Sequence, residues 1–294
     1  MFENSKKYYE AIDGDVDSLG SETIYQPGIY TEGDNVGGNR SLITLTTTPG
    51  YLNGLKEGVF GIISLFYLYP DFRGAGRVYD SQTTLAGSEG IVFKKNGGAP
   101  TFYSKWEDDG GSSLYFGVEI VTLDEFHLST TVVNPLTTGP GSGWGCMYID
   151  DKFFDEDNSC SLLKDTEDNI KLGAKWETDT YNAHARFGFF SFLDLSGISA
   201  IQTNDLTGKR PWVASFSKFL YDVARNYNYD PSRIRKAIYT FNKNIEGVFW
   251  KLDEAGLSGS ASSISLSACD IKTGKNKSGF GGYTSVPGCS GVIL

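Results

Sequence analysis

Between Gly143 and Asp205 the sequence contains, in order, Gly143-Trp-Gly-Cys-Met-Tyr-Ile-Asp-Asp-Lys-Phe-Phe, Asn169-Ile-Lys-Leu-Gly, Ala185-Arg-Phe-Gly-Phe-Phe-Ser-Phe and Leu195-Ser-Gly-Ile-Ser-Ala-Ile. The first piece predicts a strand, a two-residue turn at Asp150-Asp151 and a returning strand. The second piece predicts a short strand ending at Gly173. The aromatic third piece predicts another strand, and the last piece indicates a short helical turn. Together the four pieces predict antiparallel strands closed by a turn of helix.

Upstream of this segment the strand pattern continues from Ser41. The run Val59-Phe-Gly-Ile-Ile-Ser-Leu-Phe-Tyr-Leu-Tyr is apolar along its length, which predicts a strand buried on both faces. Turn signals such as Pro49-Gly50 and Asn53-Gly54 recur at intervals of roughly ten residues. This spacing favours a β-sandwich over alternating strands and helices.

The order of these strands resembles the second half of a laminin-G/concanavalin A-like lectin sandwich, over roughly residues 41 to 205. In that family a strand ending in Tyr-Val-Asp-Gly precedes a strand ending in Ile-Gly, and a Leu-Ser-x-x-x-Ile turn closes the fold. The resemblance implies a mainly β protein built as an antiparallel sandwich, with the strand that begins at Val59 at the centre of a sheet. A fold alone does not give a function.

Beyond Asp205 the apolar residues follow alternating steps of three and four, which predicts two amphipathic helices of about 16 and about 26 residues. Asp230 can cap the second helix, Pro231 can occupy its first turn, and Gly256 can end it. The apolar stripe of this helix consists of Ile234, Ile238, Phe241, Ile245, Val248 and Leu252. The stripe predicts a homo-oligomer, either a trimer or a larger ring, with these residues in the interface. The alternative is that both helices pack on the sandwich of their own chain.

The segment from Leu252 onwards resembles a module of phage structural proteins. In that module a helix ending in Leu-Asp-x-Ala-Gly leads into a short Leu-x-Leu-Ser strand and a Gly-rich loop. The chain departs from the module because the usual Asn-rich loop and further helix are missing. Four segments are predicted: an N-terminal arm over 1–40, the sandwich over 41–206, two helices over 207–257 and a Gly/Ser-rich tail over 258–294. The arm is either loosely ordered or held by a neighbouring subunit.

Charge and hydropathy limit the partners. The formal net charge is −10, which argues against nucleic acid and anionic lipid as partners, because both would need a basic face. No apolar run approaches the ~20 residues of a membrane-spanning helix, and the sequence after Met1 lacks the apolar core of a signal peptide. The cysteines show no Cys-x-x-Cys spacing, so free buried thiols are expected at Cys146, Cys160, Cys269 and Cys289.

Motifs for catalysis are missing from the sequence. Of the two histidines, His127 falls inside a predicted strand and His184 in a turn, and neither has a Gly-x-Ser-x-Gly elbow as a partner. Glycosidases of the lectin-like fold carry alternating carboxylates on one strand. Glu107 and Asp109 have this spacing, but the next position in the pattern is glycine. The sequence therefore predicts a protein without enzymatic activity.

Acidic clusters are the only candidates for a metal site, and no other cofactor is predicted. Laminin-G and lectin relatives often bind Ca²⁺ through loop carboxylates, so the resemblance implies a calcium site. The candidate ligands are Asp150, Asp151, Asp155 and Asp157. The alternative is that these residues form solvated turns, because Asp is favoured in turns for backbone reasons alone.

Three tryptophans stand at predicted loop or strand edges, next to Gly, Asp or Glu. An exposed aromatic ring beside a carboxylate is the usual platform for a glycan. Trp106 and Trp176 are the candidate glycan-binding residues, with capping of the sandwich as the alternative. For Trp144 capping is the preferred interpretation.

These observations lead to one main hypothesis and two rivals. The main hypothesis is a non-enzymatic structural or adhesion protein of a phage virion, assembled in the host cytoplasm. Its partners would be copies of itself, other virion proteins and a glycan of the host surface. The first rival is a bacterial carbohydrate-binding or polysaccharide-degrading protein with the same sandwich. The second rival is a decoration protein without a ligand.

Overall fold

The computed structural model describes residues 28–31, 42–70, 76–81, 91–95, 101–107, 113–135, 143–160, 169–174, 183–202, 210–252 and 263–274. Within this part of the chain, strands β1 to β15 are Ile29–Thr31, Leu42–Thr46, Phe60–Leu68, Arg77–Ser81, Ile91–Lys95, Thr101–Glu107, Ser113–Ile120, Phe126–Asn134, Gly143–Ile149, Lys152–Cys160, Ile170–Leu172, Ala185–Asp194, Glu246–Lys251, Ser263–Ser267 and Cys269–Asp270. Helices α1 to α3 are Tyr51–Leu55, Pro211–Asn226 and Pro231–Phe241, and Ser199–Gln202 is a 3₁₀ turn. None of these helices is long and apolar enough to cross a membrane.

The described strands form two sheets. The first sheet has the order β10-β9-β8-β3-β12-β13-β15, with β1 also paired to β12. The second sheet has the order β14-β2-β11-β4-β5-β6-β7. All pairs are antiparallel except β14 with β2. One apolar core fills the space between the sheets, and a second core lies between the first sheet and the helices. The prediction of a mainly β sandwich followed by a short helical segment is confirmed.

Strand β3 shows why its sequence is apolar throughout. It lies between β8 and β12, so both its edges are paired. Phe60, Ile62 and Phe66 belong to the core between the sheets, whereas Ile63 and Leu65 belong to the core beneath the helices. Side chains alternate between the two faces of a strand, and each large apolar group buried here stabilises the fold by about 1.5–3 kcal/mol. The predicted central strand is therefore confirmed.

The local predictions for the segment from Gly143 to Asp205 also hold. Strands β9 and β10 are joined by the two-residue turn at Asp150-Asp151, and Asp150 has the left-handed φ of 62° that such a turn favours. After β12, the N–H of Ile198 donates to the carbonyl of Leu195 at 3.0 Å, which starts the predicted helical turn. Ile198 is buried against the second core, so the turn closes the sheet from its helical side.

The helical prediction is right at the start of α3 and wrong at its end. The Asp230 side chain accepts a hydrogen bond from the N–H of Ser232, and Pro231 occupies the first turn. The helix ends at Phe241, because Asn242 adopts an extended conformation and its side chain accepts from the N–H of Asn244. An Asn side chain that bonds its own following backbone in this way favours a turn.

After this turn the chain forms strand β13, which pairs with β12. The predicted stripe is therefore divided between two cores. Ile234, Ile238 and Ile245 are fully buried beneath the helices, whereas Val248 and Leu252 lie between the sheets. Phe241 is half-buried and packs against aromatic rings of α2. The prediction of one continuous helix from Ile234 to Leu252 is wrong, because the chain is a strand from Glu246. Helices α2 and α3 pack on the sheet of their own chain. The homo-oligomer stays a prediction.

The two ends of the described chain also join the sandwich. Residues 29–31, within the predicted arm, form β1 on the edge of β12, with Ile29 in the core. The strand expected from the phage module exists as β14, which reads Ser-Ile-Ser-Leu-Ser where the module has Leu-x-Leu-Ser, but the helix expected before it is the strand β13. Cys146 is a free buried thiol as expected. Cys269 is instead disulfide-bonded. The side chains of Cys160 and Cys289 lie outside the described residues.

Gly247 is a position where β13 admits no side chain. Its φ is 145°, and a Cβ there would lie 2.2 Å from the carbonyl oxygen of Phe192 on β12. We expect Gly247→Ala to lower the free energy of unfolding by about 1–3 kcal/mol. Urea unfolding measures this, with Gly54→Ala as the control. A Cβ at Gly54 meets nothing within 4 Å, so that helical substitution should be neutral or stabilising. Equal stabilities of the two variants would contradict the close approach of Gly247 to the carbonyl oxygen of Phe192.

Candidate functional site

Five aromatic rings follow one another across the first sheet, and we call them the aromatic ribbon: His184, Tyr69, Tyr67, Phe126 and Tyr229. The ring centroids are 4.3 Å apart for His184 and Tyr69, 4.9 Å for Tyr69 and Tyr67, 5.2 Å for Tyr67 and Phe126, and 5.2 Å for Phe126 and Tyr229. The first and last of these contacts are stacked and the middle two are edge-on. All five side chains are half-buried. Phe126 and Tyr229 also pack against the core beneath the helices.

Strand pairing places these rings side by side. Tyr67 near the end of β3 lies directly opposite Phe126 at the start of β8. The N–H of Tyr69 donates to the carbonyl of His184 at 3.1 Å, which carries the ladder beyond the end of β3. Phe126 packs with the core beneath the helices, and Tyr229 comes from the connection between α2 and α3. The ribbon therefore lies on the helical face of the first sheet, where the α2–α3 connection borders it.

Left-handed backbone conformations occur near the ribbon. Among the described residues, those other than glycine with left-handed φ are Asp124, Asp150, Asn228 and Tyr229. Asp124 contacts Tyr67, and Asp150 contacts His127, the neighbour of Phe126. Tyr229 carries the last ring, and Asn228 precedes it. A bulky residue such as Tyr rarely adopts this conformation. Such strain collects at binding sites, where the surrounding structure holds it in place.

Polar groups flank the rings. The Tyr67 hydroxyl donates to the Asp124 carboxylate, and this hydrogen bond, with partial burial and the charge of Asp124, raises the pKa of Tyr67 to about 12. Arg186 lies opposite Tyr67 on the other neighbouring strand. Burial, followed by the nearby Tyr221 and Asp150, raises the pKa of Tyr229 to about 12. Both tyrosines therefore keep their hydroxyl protons at physiological pH and can donate as well as accept hydrogen bonds.

Beneath the ribbon, His127 connects three parts of the fold. Its side chain is only 3% exposed. Nδ1 lies 2.9 Å from Oδ2 of Asp150 in the β9–β10 turn, and Nε2 lies 3.0 Å from the carbonyl oxygen of Thr122. The backbone carbonyl of Asp150 in turn accepts from the hydroxyl of Ser217 on α2 at 2.9 Å. His127 is therefore a structural histidine, as its place in a strand predicts.

The structure describes the side chain of only one of the three tryptophans considered in the sequence. Trp144 is buried at 3% exposure beneath the Arg210 guanidinium, whose central carbon is 3.9 Å from the ring centroid. This confirms that Trp144 caps the sandwich. Trp106 lies near the end of β6, but its side chain is outside the described residues, as is the whole of Trp176. The glycan-binding role of these two residues stays a prediction.

The predicted calcium ligands do not come from one loop. Asp150 and Asp151 form the hairpin turn, whereas Asp155 and Asp157 belong to strand β10. The oxygens of Asp150 are already engaged by His127 and by the N–H of Leu128. Among the described residues, no three His, Cys, Asp or Glu side chains form a group that could hold a metal ion. The calcium site stays a prediction, and the structure gives it no ligand set.

Sequence reasoning missed the aromatic ribbon. The predicted glycan-binding residues are tryptophans, whereas the rings of the ribbon are those of tyrosine, phenylalanine and histidine. One signal was present at the end of the long apolar strand, where Tyr67 and Tyr69 alternate with Leu68. An alternating pair of tyrosines at a strand end places two rings on one face. The other three rings come from distant parts of the chain and have no local signal.

The strand pairing defines the class of the protein: a mainly β sandwich of two sheets with a short helical segment. No protein-family model matches the chain, and no curated protein matches it. Among solved structures, the chain is similar to the binding domain of botulinum neurotoxin DC in complex with SialylT. The TM-score is 0.37 and the identity 11%, over 50% of this chain and 34% of that one.

Two further solved structures show similar values. The receptor-binding domain of botulinum neurotoxin type G has a TM-score of 0.36 and 11% identity, over 55% of this chain and 38% of that one. The third is of botulinum neurotoxin type C, whose cell entry depends on interaction with two ganglioside molecules. Its TM-score is 0.34 and its identity 12%, over 43% of this chain and 30% of that one. The chain thus spans about a third of the length of these structures, and the likeness is distant.

Proposed function

We propose that this protein is a non-enzymatic carbohydrate-binding protein and that the saccharide lies along the aromatic ribbon. The observation that carries the proposal is the unbroken series of half-buried rings from His184 to Tyr229. Aromatic side chains supply a flat apolar surface with a polar edge, which matches the C–H face and hydroxyl rim of a sugar ring. Binding sites for small ligands typically combine such aromatic surfaces with a few well-placed polar groups.

The polar groups of the ribbon suit hydroxyl-rich ligands. The Asp124 carboxylate accepts from Tyr67 and has further lone pairs for sugar hydroxyls. Glu125 is 57% exposed beside it, and Arg186 supplies donors from the neighbouring strand. Because Asp124 and Tyr229 are held in left-handed conformations by the folded chain, the site is organised before a ligand arrives. A preorganised site loses less entropy on binding.

Nuclear magnetic resonance titration tests this function with four saccharides: cellotriose, maltotriose, triacetylchitotriose and 3′-sialyllactose. At least one is expected to shift the ring resonances of the ribbon. Tyr69→Ala should weaken that binding about tenfold or more, which corresponds to about 1.4 kcal/mol. The matched control is Tyr239→Ala, because Tyr239 is a half-buried tyrosine on α3, away from the ribbon. The proposal fails if none of the saccharides shifts the ribbon, or if both variants weaken binding equally.

We also propose that this binding serves a phage virion, as an adhesion or structural component. The support is the sequence of β14, Ser263–Ser267, which resembles the short strand of phage structural modules. Peptide mass spectrometry on gradient-purified particles tests the setting. Peptides of this chain that sediment with particles at a fixed ratio would support it. Their absence from particles would contradict it and favour the bacterial carbohydrate-binding alternative.

A further inference from the structure

Three hydroxyl groups lie side by side on the face of the first sheet that meets the second sheet. Ser64 of β3 stands between Ile62 and Phe66, which both belong to the core between the sheets. Side chains two positions apart share one face of a strand, so Ser64 faces this core as well. Ser129 of β8 lies directly opposite Ser64, and Thr131 follows two positions later on the same face. The centre of an apolar layer therefore contains a small polar patch.

A fourth hydroxyl reaches this patch from the second sheet. Tyr79 of β4 belongs to the same core, and its ring centroid is 5.6 Å from that of Phe190, which lies opposite Ser64 on β12. Burial raises the pKa of Tyr79 to about 12, and the side chains of Thr131 and Ser104 act against this rise. The hydroxyls of Thr131 and Ser104 therefore lie near the phenol, and polar groups from both sheets meet in one region of the core.

Within the part of the chain that the structure describes, these hydroxyls have no hydrogen-bond partner. This holds for the oxygens of four fully buried side chains: Ser64, Ser129, Thr131 and Tyr79. Buried hydroxyls are nearly always hydrogen-bonded, because an unpaired one keeps the full cost of leaving water. Polar groups that lie near one another without direct hydrogen bonds are the usual surroundings of a buried water molecule.

We propose that Ser64, Ser129, Thr131 and Tyr79 form a buried water-binding site that links the two sheets. A water molecule both donates and accepts hydrogen bonds, so it can satisfy hydroxyls that strand pairing keeps apart. Serine is much smaller than isoleucine or phenylalanine, so the facing pair of serines provides space for it. The four groups are uncharged, and an ion would remain unbalanced among them, which makes water the fitting ligand. The site lies between the sheets and does not depend on the proposed function.

A high-resolution crystal structure of the wild-type chain tests the site directly. Density for a water molecule should lie within about 2.7–3.2 Å of at least three of the four hydroxyl oxygens. Density near fewer of them, or hydroxyls that bond directly to one another, would overturn the proposal. This measurement needs no variant to fold.

Thermal unfolding of Thr131→Val supplies the second readout, because valine removes the hydroxyl and keeps the shape of the side chain. Loss of this hydroxyl would leave the bound water short of a partner, so the Tm should fall by about 2–4 °C. A hydroxyl that is simply unpaired would instead destabilise the wild-type protein. An unchanged or raised Tm would therefore overturn the proposal.

The matched control is Thr130→Val, on the other face of the same strand. Thr130 is also fully buried, and its hydroxyl likewise has no partner among the described residues, but its neighbour on β3 is Ile63 instead of a serine. The Tm of this variant should be unchanged or higher. An equal fall in both variants would assign the effect to valine in this strand and would overturn the water site.

Discussion

Replacing Phe189 with alanine is expected to lower the free energy of unfolding by about 3–5 kcal/mol. Phe189 lies on β12, is fully buried and stacks on Phe249 of β13, with ring centroids 5.8 Å apart. It belongs to the core beneath the helices rather than the one between the sheets. The substitution would leave a cavity where the sheet, β13 and the helices meet.

Thermal and urea unfolding measure this effect, with Phe153→Ala as the matched control. Phe153 on β10 is 41% exposed, so the same truncation removes far less buried surface and should cost less than about 1 kcal/mol. At roughly 2–4 °C per kcal/mol, the Phe189 variant should lose more than about 6 °C in Tm. A Tm unchanged from wild type would show that Phe189 is not in the core. It would also contradict the packing of the helices on the first sheet.

Placing a carboxylate at Ile238 is expected to unfold the helical side of the protein. Ile238 is fully buried on α3, in the core shared with the first sheet. Ile238→Asp combines the loss of a large apolar side chain with the burial of an unpaired charge, at a cost of at least about 4 kcal/mol. The expected product is a destabilised or unfolded chain, because the carboxylate would lie among the buried apolar side chains of that core.

Circular dichroism and size-exclusion chromatography distinguish this outcome from the dissociation of an oligomer. Ser215→Asp on the exposed face of α2 is the control and should leave the free energy of unfolding within about 0.5 kcal/mol of wild type. If Ile238→Asp instead gave a fully folded protein of smaller size, Ile238 would have to lie between subunits. That result would contradict the packing of α3 on its own sheet.

Local signals in the sequence were sufficient for much of the fold. The hairpin at Asp150-Asp151, the strand around Ile63 and the start of α3 at Asp230 each depend on neighbouring residues, and each is confirmed. The end of α3 is different. Steps of three and four continue from Ile234 to Leu252, but a strand and a helix can share apolar positions over so short a run. Pairing with β12, more than fifty positions away, determines that Val248 is in a strand.

The candidate site was harder to predict for the same reason. Tyr67, Phe126, His184 and Tyr229 come from four separate parts of the chain, and only the pairing of β3 with β8 and β12 brings the first three together. Trp144 shows the opposite case. Its local surroundings indicated a cap, and burial beneath Arg210 confirms this interpretation. Contacts between distant segments decide the site, and a single sequence carries no record of them.

The parallel pairing of β14 with β2 bears on how the protein is made. Ser263 of β14 lies opposite Leu42 of β2, and Phe249 of β13 lies opposite Ser191 of β12. During synthesis, β2 and β12 therefore each keep one edge unpaired until β14 and β13 have left the ribosome. By then almost the whole described chain has been synthesised. Contacts between such distant residues form slowly, and waiting edges are exposed to aggregation. Folding of this protein should therefore be completed after translation, and a nascent chain stalled before residue 246 should depend on chaperones.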